Sequence, residues 1–216
     1  MTTKPSMLRP ATHKGLPVVI SAPSGSGKST IVARVVKENR SSVLSISCTT
    51  RAPRGEEKNG RDYYFLDEDE FQRRVKDGEF LEWAEVHGHY YGTLKKTVES
   101  QLENGKDVLL TIDVQGAHFI RRHFPWGIFI FLVPPSWDVL VKRLKDRGSD
   151  DAKSIQTRLA NAKKEMATLN QFDFLVVNDK LDAAVADVGA IIKASHCRLS
   201  NIHKETIPIF SGEGHV

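Results

Sequence analysis

The chain has 216 residues, 40% hydrophobic and 27% charged, with 31 Lys+Arg against 27 Asp+Glu and a formal charge of +4. That length holds one domain with its own buried core, and the composition excludes a disordered, collagen-like or coiled-coil chain. The small basic excess suits an anionic small molecule as well as a nucleic acid, so it selects neither.

Residues 1–14 read as a disordered tail: they are basic but lack the apolar stretch of a secretory signal. Val18 to Ile20 reads as a buried strand, and Ile31, Val32, Val35 and Val36 as the apolar stripe of a helix. Leu44, Ile46 and Cys48 alternate with serines at strand period. Residues 47–94 are a polar interruption, with strands expected at Tyr63 to Leu66 and Phe80 to Val86 flanking a helix that Asp67 and Glu70 open as a capping box. Val108 to Ile112, Ile128 to Val133 and Phe174 to Val177 read as strands, the first two as parallel strands buried on both faces. The longest of these runs, ended by Pro134-Pro135, is far too short to span a bilayer. Residues 137–160 read as a helix ending at Gly148 and then a charged stretch. Ile155, Leu159, Ala162, Met166 and Leu169 form one helical stripe and Leu181 to Ile192 another. Strands alternating with helices predict an α/β fold, a parallel sheet flanked by helices. The two interruptions follow strand C-terminal ends, where open α/β sheets bind ligands, and are expected to be mobile flaps. Cys48 and Cys197 make no CxxC or metal-ligand pattern and read as reduced thiols of a cytoplasmic protein.

The strongest chemical signal is Ala22-Pro23-Ser24-Gly25-Ser26-Gly27-Lys28-Ser29, between a strand and a helix. This is a phosphate-binding loop in the context that motif requires. Gly25 and Gly27 let backbone N–H groups turn inward around phosphate oxygens, and the helix aims its N-terminal dipole at the anion. Lys28, expected on the solvent side, reaches the β/γ-phosphates, and Ser29 offers a hydroxyl to Mg²⁺. Ala22 replaces the pattern's first glycine.

Further on, Arg51 and Arg54 stand three apart around Pro53, suited to bidentate capture of a phosphate, with Tyr63 and Tyr91 as nearby hydroxyl donors. From about Leu16 to Ala194 the chain resembles the guanylate kinases: SAPSGSGKST, SxTTRxPR, GRDYYF, FLEWAEVHGHYYGT, IDVQG, RLKDRG and FDFLVVND occur in that order. The resemblance implies ATP-dependent phosphorylation of GMP to GDP, and of dGMP to dGDP, in purine nucleotide metabolism. It implies a P-loop fold with a mixed α+β GMP-binding insertion and a helical lid. The domain would run over 15–196, with its core at 15–46, 95–136 and 161–196, the insertion at 47–94, the lid at 137–160 and a tail at 197–216.

By motif position, the resemblance gives the GMP phosphate to Arg51, Arg54, Tyr63 and Tyr91, and the guanine to Ser47, Glu82, Thr93 and Asp113. The chemistry agrees: guanine offers O6 as acceptor and N1–H and N2–H as donors. A carboxylate at Glu82 accepts from the donors, and hydroxyls at Ser47 and Thr93 donate to O6. Asp113 ends a strand and also suits the Mg²⁺ shell through water, while Thr111 stands where the family usually has a second acid. The ATP side would comprise Ala22 to Thr30 with Asn178, and Arg143, Arg147 and Arg158 would join Lys28 and Arg51 around the transferring phosphoryl group. Such transfer runs on positioning and charge neutralisation, so no protein nucleophile or general base is expected.

A non-catalytic phosphopeptide-binding module of the same fold is disfavoured by the intact Gly25, Gly27, Lys28 and Ser29, and a kinase for another base by Glu82 and Ser47. The expected partners are ATP with Mg²⁺ and GMP, with no nucleic acid and no membrane. Monomer and homo-oligomer stay equally open.

Overall fold

A computed structural model of the chain describes residues 14–86, 88–146, 152–198 and Asn201, the side chains of 152 and 153 excepted. Arg147, the end of the first lid helix at Gly148, residues 1–13 and most of the C-terminal tail lie outside the described residues.

The first sheet is built around β1 (Pro17–Ser21), and helix α1 (Lys28–Glu38) follows it through the glycine loop. Next come β2 (Ser42–Leu44), β3 (Cys48–Thr49), β4 (Tyr64–Phe65), α2 (Glu68–Lys76), β5 (Phe80–Val86), β6 (His89–Leu94) and α3 (Lys95–Glu103). The chain continues through β7 (Asp107–Leu110), α4 (Val114–His123), β8 (Ile128–Val133), α5 (Trp137–Asp146) and α6 (Ala152–Met166). A 3-10 turn (Leu169–Gln171), β9 (Phe174–Val177) and α7 (Leu181–Ser195) complete it.

The strands form two sheets. The five-stranded sheet has the order β2-β7-β1-β8-β9 and is parallel throughout. Its central strands are buried on both faces, which is why they read as unbroken apolar runs. Val18, Ile20, Leu109, Ile130 and Leu132 pack with Ile31 and Val35 of α1 and Val185 and Val188 of α7. Val19, Val108, Leu110 and Phe129 pack with Val98 and Leu102 of α3 and Ala117 and Ile120 of α4.

The second sheet, in the order β4-β3-β6-β5, lies wholly within residues 48–94. The alternation from Leu44 to Cys48 was expected to be one strand. It is two: β2 pairs with β7 in the first sheet and β3 pairs with β6 and β4 in the second. Ile46 lies in neither, because the chain crosses between sheets there. β5 and β6 form an antiparallel hairpin whose connection carries Gly88 at φ +78°. Phe71 of α2, fully buried, stacks on Phe80 at 4.6 Å and Tyr90 at 5.5 Å, giving this sheet its own aromatic core.

Only half of the expected capping box forms. The Asp67 carboxylate accepts from Glu70 N–H at 2.7 Å, but the Glu70 carboxylate turns to Arg73 and Arg74. Two arginines within one helical turn outcompete a single backbone N–H for that acid. Leu140 and Leu144 of α5 pack against Ala162 of α6 as a small core.

Candidate active site

The glycine loop connects β1 to α1 at the C-terminal edge of the parallel sheet. Gly25 and Gly27 have φ of +90° and +86°, a region that residues with a Cβ avoid, and Gly27 is the N-cap of α1. Leucines 140 and 144 of α5 lie 3.1 to 3.3 Å from where a Cβ on Gly25 would stand. The loop is thus seated directly on α5. The Ser26 hydroxyl is buried without a partner, as a loop shaped to enclose an anion leaves its donors.

Lys28 does not stand on the solvent side. It is half-buried, with Nζ 3.4 Å from the carbonyl oxygen of Ile112, just beyond β7. Burial pushes its pKa down, and the carboxylates of Asp113 and Glu165 oppose that shift. Glu165, on α6, is itself pushed up by burial and drawn back by Lys28.

Asn178 follows β9. Its amide donates to the Ser26 carbonyl at 2.7 Å, while its backbone carbonyl accepts from Arg143 Nη2 at 3.0 Å. Arg143 Nη1 is buried with no partner. Arg158 Nη1 donates to the Ser24 hydroxyl at 2.7 Å. Arg143 and Arg158, both expected around the transferring group, therefore converge on the loop from α5 and α6. Ala22 and Pro23 lead into the loop, with the Pro23 carbonyl accepting from Ser26 N–H, and Thr30 is exposed in the first turn of α1.

A cavity of about 620 Å³ separates this loop from the second sheet. Ser29, Ser47, Tyr63, Glu82, Tyr91, Thr111 and Asp113 all line it. Glu82 on β5 and Thr93 on β6 are cross-strand neighbours, and the Thr93 hydroxyl donates to Glu82 Oε1 at 2.5 Å. That hydroxyl has one proton, which here goes to the Glu82 carboxylate and orients it. Burial pushes Glu82 up to about 7; the Thr93 hydrogen bond opposes the rise and Asp113 adds to it. Asp113 caps α4 by accepting from Gly116 N–H at 2.7 Å, with its other face exposed.

Arg51 is buried. Nη2 meets both Glu57 oxygens at 3.0 and 2.9 Å, and Nη1 meets the Ala52 carbonyl at 2.6 Å. Its guanidinium stands 5.4 Å from the Tyr63 ring, which meets Tyr91 edge-on at 6.1 Å. Arg54 is exposed, and its backbone is tied to Glu57: its N–H donates to Glu57 Oε2 at 2.8 Å and its carbonyl accepts from Glu57 N–H at 3.1 Å. Glu57 lines the cavity and organises both arginines, a role sequence reading missed. The spacing Arg51-x-x-Arg54-x-x-Glu57 was the available signal. Ser29 and Asp113 supply a hydroxyl and a carboxylate to one cavity, hard oxygen donors of the kind that hold Mg²⁺ alongside nucleotide phosphates. Among the described residues there is no group of three or more His, Cys, Asp or Glu that could hold a metal ion. No described helix is long and apolar enough to cross a membrane.

The guanylate kinase family model matches residues 14–195. The guanylate kinase of Clostridium acetobutylicum is 44% identical over 202 residues, 94% of this chain and 96% of that protein. That of Dechloromonas aromatica is 48% identical over 177 residues, 82% and 88% of the two chains. The crystal structure of guanylate kinase from Anaplasma phagocytophilum superposes with a TM-score of 0.76 at 30% identity, covering 94% and 96% of the two chains. With a phosphate loop facing an arginine- and carboxylate-lined cavity, this chain belongs to the guanylate kinase family, enzymes that phosphorylate GMP to GDP with ATP as donor.

Proposed function

We propose that the cavity between the glycine loop and the second sheet is where GMP receives the phosphoryl group of ATP, and that this chain's residues divide the task as follows. Residues 15–46, 95–136 and 161–196 form the catalytic core, 47–94 the GMP-binding insertion and 137–160 a lid. Ala22 to Thr30 cradle the ATP phosphates, with Asn178 holding the loop in shape. Arg51, Arg54, Tyr63 and Tyr91 bind the GMP phosphate. Glu82, oriented by Thr93, accepts from guanine N1–H and N2–H, with Ser47 and Asp113 completing the recognition of the base.

The observation that carries this reading is Glu82 on the cavity wall, held by Thr93 behind it: an oriented, desolvated acceptor in the cavity that Ser29 of the phosphate loop also lines. Lys28, Arg143 and Arg158, with Arg147, bring positive charge to the oxygens of the transferring group, and Arg51 aligns the acceptor phosphate for in-line attack. The acceptor is an already ionised phosphate oxygen, so the protein supplies geometry and charge only. Ser29 and Asp113, the latter through water, would hold Mg²⁺, which neutralises phosphate charge when bound with ATP. Closure of 47–94 and 137–160 would exclude water and bring the two anions together. Two free cysteines, one buried, support a reducing cytoplasmic setting.

ADP release measured with GMP, dGMP, AMP, UMP and CMP as acceptors tests the reading. Turnover with GMP and dGMP and almost none with the others is expected. Equal turnover with AMP would overturn the assignment of Glu82 and its neighbours to base recognition.

A further inference from the structure

Gly116 occupies the third position of α4, inside a helix, where glycine is among the least favourable residues. Its φ is not among the positive ones, so no turn geometry requires it. The residue is buried. A Cβ built there would stand 3.2 Å from Glu82 Oε2, 3.3 Å from Ile112 Cβ and 3.4 Å from Asp113 Oδ1. Ile112 and Asp113 belong to the turn that opens α4, so such neighbours are those any residue meets in its own turn. Glu82 alone comes from another element, β5 of the second sheet.

We propose that Gly116 is a specificity-determining position: by carrying no side chain it leaves the space in which the Glu82 carboxylate stands against the N-terminus of α4, facing the guanine edge. The inference rests on the reading of Glu82 as the guanine acceptor. The carboxylate cannot simply swing aside, because its other oxygen is held by Thr93 at 2.5 Å. A methyl group at 116 therefore makes the carboxylate give by about a few tenths of an ångström, either by stretching the Thr93 hydrogen bond or by shifting both oxygens together from their place on the cavity wall. The placement also has an electrostatic gain, since the first turn of a helix carries partial positive charge that favours the ionised acid. Glycine at this position thus trades helix propensity for the position of one carboxylate.

The trade makes the proposal separable from a structural role. Gly116→Ala should raise the Kd for GMP roughly tenfold to hundredfold, the range for losing one hydrogen bond to a charged group. The effect should appear in KM for GMP far more than in kcat, and Kd for ATP should stay unchanged. Melting temperature should not fall, because alanine suits a helix better than glycine.

The control is a double-mutant cycle with Glu82→Ala. In the Glu82→Ala background the methyl has nothing to displace, so Gly116→Ala should cost no further GMP affinity, and that double variant has room to fold. Wild-type GMP affinity in Gly116→Ala, while Glu82→Ala loses GMP, would overturn the role of Gly116 and leave the reading of Glu82 standing. An equal GMP loss in both backgrounds, or a joint loss of melting temperature and ATP affinity, would also overturn it. If Glu82→Ala itself bound GMP normally, the reading of Glu82 would fall and the proposal with it.

Discussion

Arg51 and Glu57 hold each other in a bidentate pair at 2.9 and 3.0 Å, with Arg51 only 7% exposed and Glu57 on the cavity wall. The same carboxylate takes the backbone N–H of Arg54, so one acid frames both arginines proposed for the GMP phosphate. Those bonds hold the Glu57 carboxyl below the usual carboxylate range, with the Arg54 N–H contributing most.

Glu57→Gln keeps the size of the side chain and removes its charge and one acceptor oxygen. Arg51 would lose its fixed direction and the turn through Arg54 its anchor. KM for GMP should rise roughly tenfold, the scale on which misplaced binding groups act, with KM for ATP unchanged. Steady-state kinetics with each nucleotide varied in turn checks this. A lower KM for GMP would instead mean that Glu57 competes with the phosphate for Arg51.

Lys28 reaches into the site rather than standing in water, with Asp113 and Glu165 opposing its loss of charge. Lys28→Ala should reduce kcat by about 10²-fold or more by removing a positioned charge from the phosphates. The side chain makes one long contact, to the Ile112 carbonyl, so the melting temperature should move little. Turnover and thermal melts on the same preparation separate the two effects, and wild-type turnover would remove the glycine loop from catalysis.

Much of this was legible in the residues because the physics there is local. β1, β7 and β8 are buried on both faces, so they appear as unbroken apolar runs whichever neighbour covers them. The glycine loop is legible because backbone N–H groups can enclose phosphate only where side chains are absent, as at Gly25 and Gly27. The insertion was less legible because its order depends on contacts distant in sequence. Nothing in the alternation of Leu44, Ile46 and Cys48 marks the point where the chain leaves one sheet for another. Nothing in the sequence spacing of Glu82 and Thr93 showed that the two are cross-strand partners joined by a hydrogen bond. Glu165 gave no sign either, since its neighbours Lys28 and Asp113 are far from it and from each other in sequence.

Asp107 opens β7 and is almost fully buried. It accepts from Leu16 N–H at 3.0 Å and contacts His196 Nε2 at 2.9 Å, joining the first strand to the end of α7. That hydrogen bond, more than it is opposed by burial, raises the His196 pKa above its ordinary value of 6.5. A raised histidine contributes stability that is fully present below its unfolded pKa and lost as pH rises through the folded one. His196→Gln should therefore melt about 2–4 °C below wild type on the acid side of that window, for a contribution of about 1 kcal/mol, and the gap should close on the alkaline side. Calorimetric melts across the window check it. A gap independent of pH would assign the contact to packing rather than charge.

The last prediction concerns the proton on Glu82. Burial lifts this carboxyl to about 7, so near neutral pH the free enzyme holds it partly protonated. Guanine presents two donors, N1–H and N2–H, and a protonated carboxyl would meet one of them with a third donor. GMP binding must therefore select the ionised form and release the proton. The sign follows: affinity is complete above about 7 and falls as pH drops through that value, tending to tenfold per unit, as expected for one proton linked to binding. The GMP phosphate also titrates on the acid side, so the slope alone is ambiguous. Glu82→Gln resolves it, because its amide carries no titrating proton. That variant should bind GMP weakly at every pH, by roughly 2–4 kcal/mol relative to ionised wild type, and keep only the shallower slope due to the phosphate. Isothermal titration in buffers of different ionisation enthalpy counts the protons released directly. Identical slopes for wild type and Glu82→Gln would show that Glu82 binds guanine without changing its protonation, and equal losses of GMP and ATP affinity in the variant would make Glu82 a structural residue.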